Sequence, residues 1–263
     1  MGNVLALANQ KGGVAKTTSA HSLATALSDL GHRVLLVDLD PQASLTWACG
    51  LDPDGLDASI HDVLLGRTKA KDVVVPLDRA NRRAVGPPID LLPSTIDLAG
   101  AEMHLLTKTG REYVLRRALA PLVDRYRLVL LDCAPSLGIL TINALTAADE
   151  VLIPLQCESL GLRGVTQLLE TIDDVRSYTN PDLRIRGAIA TLFDGRTKLA
   201  HEVVAAARDQ HGLEVLEPPI PKSVKVAEAP GRGRSVLDHA PRSPSAEAYR
   251  QIAAQLVSRK KRS

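Results

Sequence analysis

Short, unbroken apolar runs recur along this chain, separated by stretches with the spacing of helices. Val4–Ala8, Val34–Val37 and Leu128–Leu131 are apolar throughout. They are too short for a typical helix and lack the alternation of a half-exposed strand, so they predict strands buried on both faces of a parallel sheet. Between the first two runs, Ser19 to Leu30 places Leu23, Ala26, Leu27 and Leu30 along one helical face. Near the end, Ser245 to Ser258 does the same with Ala248, Ile252, Ala253, Leu256 and Val257. Strands alternating with helices predict an α/β fold: a doubly wound, mostly parallel sheet with helices on both faces. Its 263 residues, 45% of them hydrophobic, suffice for one large core. Residues 1–258 therefore read as a single domain and 259–263 as a disordered basic tail. The clearest break, Arg79–Pro88, reads as a surface loop before a strand at Ile89–Leu92.

Lys11-Gly-Gly-Val-Ala-Lys-Thr-Thr18 lies between the first strand and the first helix. A glycine-bearing turn there aims backbone N–H groups and a helix N-terminus at one point, which suits phosphate. Lys16 supplies a point charge for terminal phosphates, and the Thr17 hydroxyl a ligand for Mg²⁺. The strict pattern G-x-x-x-x-G-K-[ST] is not met, because Gln10 and Ala15 stand where glycines belong. The variant K-G-G-x-x-K-[ST] is met in full. Gly12 and Gly13 permit backbone dihedrals closed to other residues. Ala15 fits if its φ is negative and strains the turn if φ is positive. Two further segments, Val34-Leu-Leu-Val-Asp38-Leu-Asp40-Pro-Gln and Leu128-Val-Leu-Leu-Asp132-Cys-Ala-Pro, are apolar runs ending in aspartate. Carboxylates beyond the strand ends, beside a phosphate loop, are placed to hold Mg²⁺.

NQKGGVAKTT, VLLVDLDPQ and VLLDCAPSLGILTINALTAADEVLIPLQCES resemble the ParA/Soj partition ATPases, within the MinD-like group of deviant P-loop NTPases. LLPSTIDLAGAE at 91–102, LFDGRTKL at 192–199 and IPKSVKVAEAPGRGRSV at 220–236 extend the likeness over nearly the whole chain. The resemblance implies a P-loop NTPase-like fold and an ATP- and Mg²⁺-dependent hydrolase. It implies that Gly12, Gly13, Val14, Ala15, Lys16, Thr17 and Thr18 surround the phosphates. Lys11 would reach across a nucleotide-sandwich homodimer to the partner's phosphates, or would be a solvated lysine beside the loop. Asp40 would orient the attacking water and Asp38 and Asp132 serve the Mg²⁺ shell, with the roles of 38 and 40 interchangeable. Pro135-Ser-Leu-Gly138 would sense the γ-phosphate. Adenine would lie near Phe193, Asp194 and the stretch Pro221, Lys222, Val224.

Charge adds a partner. Residues 222–263 carry ten Lys/Arg against Glu228, Asp238 and Glu247, +7 in all, which leaves −5 for residues 1–221. A basic end on an acidic body reads either as a solvated tail or as a face for a polyanion; the resemblance favours non-specific double-stranded DNA. Arg196 matches a family position for DNA binding, and Lys198, Lys222, Lys225 and Arg232 join it by charge. One Trp, one Phe and four Tyr leave little for stacking single-stranded bases. The resemblance further implies a ParB/Spo0J-type partner that stimulates hydrolysis, and a nucleoid-associated cytoplasmic protein. The short N-terminus predicts neither specific operator binding nor self-repression.

Other classes fit less well. No apolar stretch reaches the length of a membrane span, the N-terminus lacks a secretory pattern, and Ala6 stands where myristoylation asks for Ser or Thr. Cys49, Cys133 and Cys157 form no C-x-x-C, which fits a reduced compartment and excludes an iron–sulfur carrier. The last helix is alanine-rich without Trp or Phe, so its stripe suits packing better than a membrane surface. The alternatives are a MinD-like ATPase that positions a protein cargo or acts at a membrane, and a scaffold that binds nucleotide but barely turns it over.

Overall fold

In the computed structural model, which describes residues 2–77, 86–158 and 162–258, the apolar runs become strands of one sheet. Arg79–Val85 of the expected loop and the tail 259–263 lie outside the described residues. The strands are β1 (Asn3–Leu7), β2 (Val34–Leu39), β3 (Val75–Pro76), β4 (Ile89–Leu92), β5 (Leu128–Cys133), β6 (Glu150–Gln156), β7 (Arg184–Thr191) and β8 (Val215–Leu216). They lie in the order β3-β4-β2-β5-β1-β6-β7-β8. Every neighbouring pair is parallel except β3 with β4. Pro76 sits on the edge strand β3, where its missing N–H removes no ladder bond. This is the doubly wound, mostly parallel sheet that the sequence predicts.

Alternate residues of each strand feed opposite faces. Leu35, Val37, Val129, Leu131, Val151 and Ile153 join one core with the helices Leu98–Leu106, Val114–Val123, Ile139–Ala147 and Arg163–Tyr178. Leu36, Leu128, Leu130 and Leu152 join the other with Lys16–Asp29 and Pro244–Val257. Both strand faces are covered, which is why these runs are apolar without alternation.

The order reverses at β1: the chain leaves it for β2 beyond β5 on one side, and later returns to β6 on the other. The loop after β1 therefore opens at the switch point of the sheet, where open α/β folds bind ligands. Parallel register sets Asp38 directly beside Asp132, and Asp132 beside Leu7 at the end of β1.

The final helix begins at Ser243, whose hydroxyl accepts from Ala246 N, and runs Pro244–Val257. Its apolar stripe packs against the helix Lys16–Asp29. At the centre of that contact the Tyr249 hydroxyl shares a 3.1 Å hydrogen bond with Ser19 Oγ, both groups fully buried. Removing that hydroxyl alone (Tyr249→Phe) should cost about 1 kcal/mol, since a buried Ser19 hydroxyl loses its partner. Emptying the site (Tyr249→Ala) should cost about 3–5 kcal/mol by adding a cavity, both values read from denaturant unfolding.

Candidate nucleotide-binding site

The helix expected from Ser19 starts three residues earlier, at Lys16, so Lys16, Thr17 and Thr18 form its first turn. Its first backbone bond runs from Ser19 N to Ala15 O, and no side chain caps the end. The N–H groups of that turn therefore point into the preceding loop, as an anion site requires.

The loop is held at three places. Asn9, fully buried, donates from Nδ2 to Pro154 O on β6 (2.8 Å) and accepts from Lys11 N (3.0 Å). Thr191 at the end of β7 donates to Val14 O (3.0 Å). Gly164 packs so closely that a Cβ there would stand 3.0 Å from Asn9 Oδ1 and 3.5 Å from Lys11 N. Between these anchors Gly13 takes φ +73° with open space around it, and Gly12 faces Pro135. Ala15 takes φ 64° and ψ 33°, the left-handed conformation, so the turn is strained by roughly 1–2 kcal/mol. Ala43 after β2 and Leu192 after β7 are the other described non-glycine residues with positive φ. All three lie beyond the carboxyl ends of strands, around the same edge of the sheet, where strain is expected at a working site.

Charge at this edge is buried. Lys16 is only 7% exposed and its ammonium donates to Lys11 O at 3.1 Å. Burial lowers its pKa, and Asp132 works against that shift. Asp132 is fully buried, and neither of its oxygens has a hydrogen-bond partner. Burial foremost, then the neighbouring Asp38, push its pKa up to about 8, while the Thr17 side chain, near enough for a weak hydrogen bond that falls short of good geometry, and the charge of Lys16 pull it back. Asp38, equally buried, is differently placed. Its Oδ2 accepts from Thr46 N (2.8 Å) and Thr46 Oγ1 (2.7 Å), and its Oδ1 from Asp40 N (3.1 Å). Burial still raises it to about 6 against those bonds. Asp40 stands just past β2, partly exposed, accepting from Gln42 N at 2.9 Å.

Glu102, which no sequence motif marks, joins this edge. It is the acidic residue of the apolar helix Leu98–Leu106, and its Oε1 lies 3.2 Å from where a Cβ on Gly138 would stand. Burial and then Asp40 raise its pKa. Glu102 thus lies against Gly138 and close enough to Asp40 to feel its charge. Its only sequence signal is a lone carboxylate in an apolar helix.

The late loops meet one another. Phe193 pairs with Pro221, Phe193 N donates to Ile220 O (2.9 Å) and Lys222 N to Phe193 O (3.0 Å). The Phe193 ring meets the edge of His201 at 5.2 Å, and Val224 is 70% exposed. Arg196, Lys198, Lys222, Lys225 and Arg232 are all exposed. Arg196 is clasped by Asp194 through Nε (2.9 Å) and Nη2 (2.8 Å), which holds Asp194 down to about 2, with Lys222 contributing. Lys225 pairs with Glu228 at 3.1 Å. Arg232 lines a 360 Å³ groove with Trp47, Gly50 and Leu51.

These residues fit a magnesium nucleotide. No group of three or more His, Cys, Asp or Glu among the described residues could cage a metal by itself. Magnesium, however, ordinarily takes one or two protein oxygens with phosphates and water. The two orphaned oxygens of Asp132, beside Thr17 and Lys16, are a donor set awaiting such an ion. An acid held above its unfolded value weakens the fold as pH rises from about 4 to about 8. Asp132→Asn should therefore unfold at a higher temperature than wild type at pH 8, by a margin that shrinks toward pH 4, while losing magnesium-dependent nucleotide binding. Thermal scans across pH check the first and equilibrium binding with and without Mg²⁺ the second.

Similarity to known proteins agrees with this geometry. The AAA domain family matches residues 2–185. The sporulation initiation inhibitor protein Soj of Bacillus subtilis is 39% identical over 257 residues, covering 98% of this chain and 99% of that protein. The chromosome partitioning protein ParA of Caulobacter vibrioides is 41% identical over 260 residues, covering 98% and 95%. A crystal structure named cobyrinic acid a,c-diamide synthase from Mycobacterium smegmatis, with bound ADP and magnesium, superposes with a TM-score of 0.85 at 48% identity, covering 97% of this chain and 94% of that one. On this combined footing of sequence, fold and site, the chain belongs to the Soj/ParA family of ATPases.

Proposed function

We propose that this chain is a ParA-type switch: ATP with Mg²⁺ drives a homodimer, the dimer binds double-stranded DNA without reading sequence, and slow hydrolysis releases it. The observation that carries the nucleotide half is Asp132, buried and unpartnered beside Lys16, Thr17 and a helix end with no cap. In this reading Lys16 and the amides of Gly12 to Thr18 bind phosphate. Thr17 and Asp132 hold the metal, with Asp38 at its margin. Bound magnesium would neutralise developing phosphate charge. Asp40 orients the attacking water, and Lys11 reaches the partner's phosphates, which makes hydrolysis depend on dimerisation. Phe193 and the Pro221, Lys222, Val224 stretch flank the base. Residues 1–258 act as one domain with the tail 259–263 beyond it. A ParB/Spo0J-type protein stimulates turnover, and the protein works in the cytoplasm on the nucleoid. Among the described residues no helix is long and apolar enough to cross a membrane, and the apolar stripe of the last helix is used in the core.

The name of the mycobacterial structure raises a second reading, ATP-driven amide formation. Were its ammonia drawn from glutamine, it would call for an accessible thiolate. All three cysteines are buried, and burial pushes Cys157 to about 11 and Cys133 higher still. The ParA-type reading therefore stands first.

DNA binding is tested with a random-sequence duplex in ATP, ADP or no nucleotide. Binding should appear with ATP and fall steeply with salt, by roughly 0.9 decades per decade of salt for each phosphate neutralised. Arg196→Glu should weaken it on every sequence with ATP binding intact. Asp194→Asn should strengthen it, because Arg196 is freed from its clasp. Loss of ATP binding in Arg196→Glu would make that residue structural, and no binding by the wild type at low salt would remove DNA as the partner.

A further inference from the structure

Asp40 lies outside the sheet and partly exposed, so its position depends on what holds its main chain. Both sides of that main chain are tied into one closed ring of hydrogen bonds. Asp40 N donates to Asp38 Oδ1 (3.1 Å). Asp38 Oδ2 accepts from Thr46 Oγ1 (2.7 Å) and from Thr46 N (2.8 Å). Thr46 Oγ1 in turn accepts from Ser94 N (2.9 Å), and Ser94 Oγ donates to Asp40 O (2.9 Å). Asp38, Thr46 and Ser94 are each 0% exposed. The same carbonyl of Asp40 also accepts from Ala43 N (2.9 Å), closing the turn that puts Ala43 at φ 50°.

We propose that Thr46 and Ser94 are positioning residues for hydrolysis, acting through this ring to hold Asp40 where it orients the attacking water. The inference rests on the assignment of that role to Asp40. The Thr46 hydroxyl is the keystone, since it is both donor to Asp38 and acceptor from Ser94 N. Replacing it with a methyl of the same shape leaves a buried N–H unpaired and removes one bond from the Asp38 carboxylate. Ser94 belongs to the segment leaving β4, so the ring also spans β2 and its neighbour in the sheet. Neither residue needs to touch a nucleotide. A displacement of Asp40 by a fraction of an ångström is enough to misalign a water, whereas phosphate binding by the loop after β1 is untouched.

The test compares Thr46→Val, Thr46→Ser, Ser94→Ala, Asp40→Ala and the double variant Asp40→Ala/Thr46→Val in the full chain. The readouts are MgATP turnover with saturating duplex DNA, KM, and equilibrium binding of a non-hydrolysable ATP analogue with Mg²⁺. Thr46→Val and Ser94→Ala should lower kcat by about tenfold to a hundredfold, with analogue affinity within about threefold of wild type. Thr46→Ser, which keeps the hydroxyl, should stay within about threefold of the wild-type kcat, and Thr46→Val should add nothing to Asp40→Ala. A ring that merely stabilises the fold would instead give additive losses in the double variant. Wild-type turnover in Thr46→Val or Ser94→Ala, or equal loss in Thr46→Ser and Thr46→Val, overturns the proposal. If Thr46→Val does not fold, Ser94→Ala and Thr46→Ser decide by the same criteria. Wild-type turnover in Asp40→Ala removes the role of Asp40 itself and the ring's function with it. A dead Asp40→Ala beside an active Ser94→Ala removes the ring alone.

Discussion

The cost of burying an unpaired carboxylate is the constraint around which this protein is arranged. Asp132 sits at the end of a central strand, wholly out of water, with both oxygens unbonded and Asp38 alongside in register. An apolar residue there would be cheaper for folding, because a buried polar group without a partner costs a few kcal/mol. The free protein lives with that cost by holding the carboxyl toward its neutral form and keeping Lys16 nearby. A metal–nucleotide pair would resolve both problems together, Asp132 taking the positive charge of the ion and Lys16 the negative charge of the phosphates. Binding and folding would thereby be linked through the same few atoms.

Strain and anchoring follow from the same demand. The loop after β1 must present amides rather than side chains, so Ala15 accepts a left-handed conformation. Asn9, Thr191 and Gly164 hold the loop against that strain from three different elements. Across the mouth, Asp38 spends its bonds on the turn that carries Asp40. Two adjacent aspartates of like burial are thus differently occupied: the oxygens of Asp132 are left open, as the proposed metal role requires, and those of Asp38 are fixed as a brace.

The parts legible in the sequence were those written in local pattern. Continuous apolar runs marked β1, β2 and β5, the Pro-rich break before Ile89 marked β4, and K-G-G-x-x-K-T-T with Asp132 marked the centre of the candidate site. The two-residue strands β3 and β8 leave no run to find. Thr46, Ser94, Asn9 and Thr191 carry no signal either, because their meaning arises only when register and topology bring distant segments together. The φ of Ala15 was open between two signs in the sequence and is positive in the structure. The Asp194 clasp on Arg196 spans only two residues, yet it depends on the loop conformation, so nothing in the sequence shows it.

A nucleotide and a magnesium ion that share this edge of the sheet must stabilise the fold jointly. Thermal unfolding of the wild-type chain with Mg²⁺ alone, ATP alone and both measures it most directly. Little change is expected with either alone and a clear rise with both. Saturation at about 100 times the dissociation constant adds about 2.7 kcal/mol, a shift of roughly 5–10 °C for a chain of this size. An unfolding temperature indifferent to the pair, or raised as much by ATP without the metal, would contradict it.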